Sequence, residues 1–315
     1  MTTHLQHPFS LRQLQYAAAV AETLSFRKAA ELCGVSQPSL SAQLAALERA
    51  LGVPLFERRR RVLVTGAGEE LLGRIRNILL EADDLADAAR RRNDPLAGAL
   101  SIGVIPTVSP YLLPRVAGPL HRKFPRLTVR WVEEKTDVLV RRLEEGRLDA
   151  ALLALEADIG DLESEIVARD PFVLITPRDH PLGTRPAPAT PADLAGADVL
   201  LLDDGHCFRK QALAVCSRAR ARELAFRATS LPTLVQMVAS GAGVTLLPAL
   251  ALPTEAKRSD IRVRPFAEPA PHRTLALVWR KSSPLAPALR QIAAAIRKAY
   301  PEPPVPAPLR KRRAA

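Results

Sequence analysis

The sequence predicts a small, all-α N-terminal domain carrying a winged helix-turn-helix. A long linker helix and a larger α/β domain follow it. Three observations carry this reading. Residues 10–51 hold three short helical patterns set off by Ser caps and one Gly. Residues 66–93 keep an unbroken apolar stripe at 3–4 spacing. From residue 100 onward, apolar strand-like runs alternate with helical ones, the pattern of a parallel sheet with right-handed crossovers.

Composition bounds the function. The chain has 315 residues, 47% of them hydrophobic, enough for more than one domain at about 100–200 residues each. No apolar run approaches the ~20 residues of a membrane span. The opening MTTHLQHPFS lacks the basic and apolar regions of a secretory signal, so no membrane association is expected. Three cysteines make no disulfide framework, and a soluble, cytoplasmic protein is expected. The net charge of +12 points to a polyanionic partner. Residues 1–65 hold eight Lys/Arg and four Asp/Glu, a net of +4, and the run Arg310-Lys311-Arg312-Arg313 adds another +4.

The first helix is read over 10–24 with Ser10 as its cap, the second over 25–33 behind Ser25, closed by Gly34. The third spans 36–51, with Ser36 as cap, Pro38 in its first turn and Leu40, Leu44, Leu47 and Leu51 facing inward. Its opening presents Ser36, Gln37, Pro38, Ser39, Ser41 and Gln43. Their compact hydrogen-bonding groups suit base edges and phosphates, and the helix N-terminus favours phosphate as well. Arg58, Arg59, Arg60 and Arg61 sit between two apolar patches, as a hairpin wing laid along a phosphate backbone requires. DNA is thus the expected polyanion.

The long helix is read from Thr65-Gly66-Ala67-Gly68 to about Asn93. Its stripe suits either a second copy of the chain or its own domain. A dimer is favoured because two-fold symmetry matches paired DNA half-sites. Asp94-Pro95-Leu96-Ala97-Gly98 reads as the linker. Strands are expected at 100–105, 127–132, 148–155, 172–176, 199–202, 224–229, 244–247 and 273–280. Helices are expected at 110–124, 136–146, 208–222, 231–240 and 284–300. The proline-rich, basic residues 301–315 read as a disordered tail.

Ligands of such sheets bind at the carboxyl ends of strands. Thr107 lies at one such end, and the segment Asp203-Asp204-Gly205-His206-Cys207 at another. Asp203 and Asp204 are candidate caps for the helix that follows. Cys207 and Cys216 are nine positions apart, about 13 Å along a helix and roughly half a turn around it. A disulfide needs Cα atoms roughly 4.4–6.8 Å apart. The pair therefore has two readings: thiols that bond only if the helix unwinds, or small buried apolar residues, a role that Ala214 and Val215 beside Cys216 also fit. Cys33 reads as a packed core residue. No Walker, GxGxxG, HExxH or CxxC motif occurs, so no cofactor and no metal site is expected.

The order of parts over residues 9–300 resembles the LysR-type transcriptional regulators. Phe26-Arg27-Lys28-Ala29-Ala30 and Val35-Ser36-Gln37-Pro38-Ser39-Leu40-Ser41 carry the N-terminal signature. Ile105-Pro106-Thr107-Val108, Asp204-Gly205-His206-Cys207, Phe226-Arg227-Ala228-Thr229-Ser230 and Gly243-Val244-Thr245-Leu246-Leu247-Pro248 look like the peroxide-sensing branch of that family. The resemblance implies a two-lobed α/β regulatory domain like a periplasmic binding protein. The domains would be 1–65 (DNA-binding), 66–95 (dimerisation helix), 96–300 (regulatory) and 301–315 (tail). Lobe I would take about 98–168 and 271–300, and lobe II about 169–270. It implies hydrogen peroxide as the signal, a redox-active Cys207–Cys216 pair, and Thr107, Thr136, His206 and Arg273 around the peroxide. It further implies a homotetramer, a dimer of dimers joined through linker helices and regulatory domains, that binds promoter DNA and contacts RNA polymerase. Pro271-His272-Arg273-Thr274 departs from the family, which often has two arginines there, and this leaves Arg273 the weakest correspondence. Two other readings stand beside this one: a regulator answering a small-molecule effector without thiol chemistry, and a thiol enzyme. The N-terminal module disfavours the enzyme.

Overall fold

The computed structural model describes residues 7–58, 61–90, 96–204, 207–257 and 259–301. The chain divides into two compact units, Met1–Arg90 and Arg91–Ala315.

In the first unit α1 (Leu11–Thr23), α2 (Phe26–Leu32) and α3 (Gln37–Leu51) start where hydroxyl caps put them. Ser10, Ser25 and Ser36 accept from the backbone N–H groups of Gln13, Lys28 and Ser39. Gly52, at φ +75°, closes α3 in the left-handed conformation that glycine adopts without penalty. Leu14, Val20, Leu40, Leu44 and Leu47 form the buried centre. The unit is not all-α as expected. β1 (Phe56–Arg58) and β2 (Val62–Val64) pair antiparallel, from Phe56 opposite Val64 to Arg58 opposite Val62. The β-branched Val62 and Val64 and the aromatic Phe56 favour extended backbone. Glu48 on α3 fixes the hairpin's base by accepting from Leu55 N and Phe56 N at 2.8 and 3.2 Å.

The helix α4 (Gly66–Arg90) begins where the Thr65 hydroxyl accepts from Gly68 N at 2.9 Å. It rises about 37 Å over 25 residues. Leu72 and Ile75 are buried in the unit's core, whereas Ile78 and Leu85, seven positions apart, are exposed. The expected end at Asn93 lies outside the described residues.

The second unit is built on a seven-stranded sheet in the order β10-β6-β11-β5-β3-β4, with β9 also paired to β6. In chain order its first elements are β3 (Gly98–Val104), α5 (Ser109–Lys123), β4 (Leu127–Glu133), α6 (Thr136–Glu144) and β5 (Ala150–Ala154). β3 pairs parallel with both β4 and β5, the expected crossover arrangement. Then come β6 (Leu162–Pro177), α7 (Pro181–Thr184), β7 (Asp198–Leu202), α8 (Cys207–Arg218), β8 (Arg222–Ala228) and α9 (Leu231–Ala239). The chain closes with β9 (Thr245–Pro248), α10 (Leu252–Glu255), β10 (Ile261–Pro265), β11 (His272–Arg280) and α11 (Ala286–Ala299). β7 and β8 pair parallel.

The sheet is mixed rather than wholly parallel, because β6 runs antiparallel to β11, β9 and β10. β6 is also sixteen residues long where only 172–176 reads as strand. Its first part, with Glu163, Ser164, Glu165 and Arg169-Asp170, carries only the short apolar run Ile166-Val167-Ala168 and is held by pairing to β11. That pairing ends at Pro171, and from Phe172 onward β6 pairs with β9 and β10 instead. β10 escapes sequence reading for a similar reason: its Arg262 and Arg264 interrupt the pattern. The buried Arg264 guanidinium donates to the carbonyls of Leu182, Ala187 and Pro188.

Candidate functional site

Two site candidates of the second unit, Thr107 and Thr136, lie just past the carboxyl ends of the paired strands β3 and β4. Thr107 follows β3, Thr136 opens α6 directly after β4, and Glu156 follows β5. Gly103 allows this closeness. A Cβ there would lie 2.4 Å from Leu139 Cδ2 of α6, so only a bare Cα lets α6 pack down on β3.

Thr107 is held by Arg273. Arg273 Nη1 donates to Thr107 Oγ1 at 2.7 Å, and Nη2 donates to the Thr107 carbonyl at 3.1 Å. Arg273 sits in β11 with no exposed surface, as does its counter-ion Asp170 in β6. Nε and Nη2 reach Asp170 Oδ2 at 2.9 and 2.8 Å. Asp170 Oδ1 accepts from Leu250 N at 2.9 Å, and the Tyr300 hydroxyl also bonds to Asp170. Burial, then the Asp170 charge, push the Tyr300 phenol up, which keeps it a donor. Each buried charge is paired and its hydrogen-bonding capacity is used, as burial demands. Thr136 differs: its Oγ1 is buried and has no partner.

Cys207 is the first residue of α8 and Cys216 lies in its third turn; both are buried free thiols. In this continuous helix they stand about 13 Å apart along the axis. The helix start places positive potential at Cys207. Burial, and after it the negative charge of Glu223, push the Cys216 thiol up to about 11. Cys33 caps the C-terminal end of α2 and is half-buried. Burial pushes its thiol up against the opposing charge of Arg12.

The segment before α8 is tied down at both sides. Lys135 Nζ, beside Thr136, donates to the Asp204 carbonyl at 2.8 Å. The Asp204 carboxylate accepts from Arg209 Nε at 2.9 Å and Arg227 Nη1 at 2.6 Å. Both Asp204 carboxylate oxygens thus accept charge-assisted bonds from guanidinium groups. Arg209, almost fully buried, also reaches Glu223 Oε1 at 2.8 Å. Phe208 packs edge-on against Phe172 at 5.2 Å between ring centroids. His206 lies outside the described residues.

The structure therefore brings Thr107 and Arg273 into direct contact and sets Thr136 on the neighbouring strand end. Sequence reading missed Asp170, Glu156, Lys135, Gln211 and Tyr300. An Asp directly ahead of a buried strand run, at Asp170, is the one such signal visible in the sequence.

In the first unit Ser36, Gln37, Pro38 and Ser39 are exposed at the start of α3, and Ser41 is half-buried. The Ser36 hydroxyl already caps the helix. Exposed Gln43 accepts from Gln13 Nε2 at 3.1 Å through its Oε1. Arg61 is exposed. Arg58 has its backbone in β1, and Arg59 and Arg60 lie outside the described residues. Among the described residues no cluster of three metal-ligating side chains occurs, and no helix is long and apolar enough to cross a membrane.

Residues 11–69 match the family model described as bacterial regulatory helix-turn-helix protein, lysR family, and residues 93–301 match the LysR substrate binding domain. The chain is 45% identical over 290 residues to the DNA-binding transcriptional dual regulator OxyR of Escherichia coli K12, covering 91% of this chain and 95% of that one. A full-length OxyR cysteine mutant from Pseudomonas aeruginosa superposes with a TM-score of 0.74 at 35% identity, covering 93% of this chain and 96% of the other. A hydrogen peroxide-bound OxyR cysteine mutant from Corynebacterium glutamicum gives 0.64 at 35% identity, covering 94% and 93%. The chain belongs to the LysR family of bacterial helix-turn-helix regulators, and within that family it is similar to the OxyR proteins.

Proposed function

We propose that the chain is a DNA-binding transcriptional regulator switched by hydrogen peroxide, with Cys207 as sensor and Cys216 as resolver. The observation that carries this reading is α8 itself. It buries two free thiols in one helix, with Lys135, beside Thr136, bonded to the segment that leads into it and Glu156, past β5, bonded to its Gln211. The OxyR relatives, one of them solved with peroxide bound, support the same reading.

The chemistry follows from the groups present. A thiolate attacks the O–O bond. Sulfur takes one oxygen as a sulfenic acid, and hydroxide leaves and is protonated to water. Thr107 and Thr136 hydroxyls donate and accept, as holding HOOH requires. Thr136 Oγ1 is a buried atom in want of a partner. Arg273 orients Thr107, and His206 is our candidate proton donor. Cys216 then displaces water from the sulfenic acid to give the disulfide. Because the two thiols sit about 13 Å apart along the helix, this step requires α8 to unwind, which makes α8 the two-state element.

The fold reading is a winged helix-turn-helix of residues 1–65, a dimerisation helix of 66–95 and a two-lobed regulatory domain of 96–300. The exposed Ile78 and Leu85 on α4 support the dimerising role. Ser36, Gln37, Pro38, Ser39, Ser41 and Gln43 would face the DNA from α3, and Arg58, Arg59, Arg60 and Arg61 from the wing. The assembly is a tetramer on promoter DNA, in contact with RNA polymerase, in the cytoplasm, and without enzymatic turnover. The test is promoter occupancy with and without peroxide in wild type and Cys207→Ser. Wild-type occupancy changes and the variant's does not. A Cys207→Ser protein that still switches refutes the reading.

A further inference from the structure

Gln211 lies four residues after Cys207 and five before Cys216 (211 − 207 = 4; 216 − 211 = 5), in the turn that must open before the thiols meet. Its Nε2 donates to Glu156 Oε2 at 3.1 Å. Glu156 Oε1 accepts from Thr274 N at 2.7 Å. Glu156 follows β5, and Thr274 is the residue after Arg273 in β11. One carboxylate therefore ties the middle of the cysteine helix to the strand that holds Thr107's partner.

A carboxylate only accepts, so it must meet the amide nitrogen of Gln211, and this fixes which way the amide faces. Gln211 Oε1 is then left buried without a partner. The helical state thus contains one bond that resists opening and one unsatisfied acceptor that opening would relieve. Arg209 also anchors α8, but its partners Leu202, Asp204 and Glu223 all belong to the segments flanking the helix. Among the described hydrogen bonds, the helix's tie to the β5–β11 side is that of Gln211.

We infer that Glu156 is a positioning residue that sets the rate of disulfide closure by clamping the turn around Gln211. The inference rests on the sensor–resolver reading of Cys207 and Cys216. Closure converts sulfenic acid and thiol to disulfide and water; Glu156 exchanges no atom in it. It holds the helix closed until Cys207 is oxidised.

The test uses the reduced full chain in rapid-quench experiments, with sulfenic acid and disulfide separated by mass spectrometry. Peroxide is raised until closure limits the rate. Glu156→Ala is expected to close about tenfold faster than wild type, equivalent to about 1.4 kcal/mol of barrier. Its rate of sulfenic acid formation stays within about twofold. Glu156→Gln is expected to stay near wild type, because its amide donates to Gln211 Oε1 once Gln211 turns over. A loosened fold would not be rescued by Glu156→Gln in this way. Closure of Glu156→Ala at the wild-type rate, or of Glu156→Gln as fast as Glu156→Ala, overturns the inference. A parallel arm uses diamide, an azo oxidant that takes two electrons and two protons from the thiol pair. If peroxide leaves wild-type Cys207 and Cys216 reduced, the sensor reading fails, and the diamide ratio between variants still decides the clamp.

Discussion

Replacing Asp170 by Ala probes the buried pair on which the Thr107 wall rests. Arg273 has no exposed surface, and Asp170 is its only counter-charge in the described contacts. The substitution leaves a buried guanidinium uncompensated and removes the acceptor of Leu250 N and the partner of the Tyr300 hydroxyl. Breaking one side of a buried pair costs about 3–5 kcal/mol. At about 2–4 °C per kcal/mol for a domain of this size, Tm falls by about 6–20 °C. Urea denaturation and calorimetry of the reduced full chain measure it. Asp170→Asn, which keeps an acceptor for Leu250 N, loses less. Asp170→Ala combined with Arg273→Met recovers much of the loss, because no unpaired charge remains. A loss under about 1 kcal/mol in Asp170→Ala, or a double variant no more stable than the single, refutes the reasoning.

Three further outcomes are expected. Gly103→Ala drives a methyl to 2.4 Å from Leu139 Cδ2 and 3.0 Å from Leu148 Cδ1. It costs about 1–3 kcal/mol by overpacking and slows the Cys207 reaction by shifting α6 with Thr136; denaturation and peroxide kinetics check both. Cys216, raised from 9.0 to about 11 by burial, stabilises the fold as a neutral thiol. That contribution is complete below pH 9 and is lost as pH rises through about 11, at about 1.4 kcal/mol per unit in between. Relative to Cys216→Ala, wild type should lose stability over that interval and not below it, as alkaline denaturation will show. Arg61→Ala should weaken binding to all DNA sequences and lower the slope of log affinity against log salt by about 0.9 for the phosphate lost. Gln37→Ala should change sequence preference with the slope intact.

Local chemistry was legible in the sequence and long-range pairing was not. The starts of α1, α2 and α3 follow from single hydroxyl caps at Ser10, Ser25 and Ser36. The strands β3, β4 and β5 follow from apolar runs between turns, and Thr107 and Thr136 follow the carboxyl ends of the paired β3 and β4. What was missed depends on residues far apart in the chain. Arg273 meets Asp170 across 103 positions and Thr107 across 166, and nothing local announces either bond. Asp204 is met by Arg209 and by Arg227, 23 positions on, bonds that nothing in its own neighbourhood announces. The polar first half of β6 is a strand only because β11 lies beside it. For the cysteines, spacing alone left two readings open. α8 makes both thiols buried and helical, as either reading allows, and the likeness to OxyR relatives, one of them solved with peroxide bound, is what favours the first.

In the proposed switch, peroxide joins Cys207 to Cys216 as α8 unwinds. Treating the reduced full chain with stoichiometric hydrogen peroxide and mapping its cysteines by mass spectrometry tests it most directly. A Cys207–Cys216 cross-link with Cys33 still reduced is expected; Cys207 and Cys216 remaining reduced while Cys33 oxidises would overturn it.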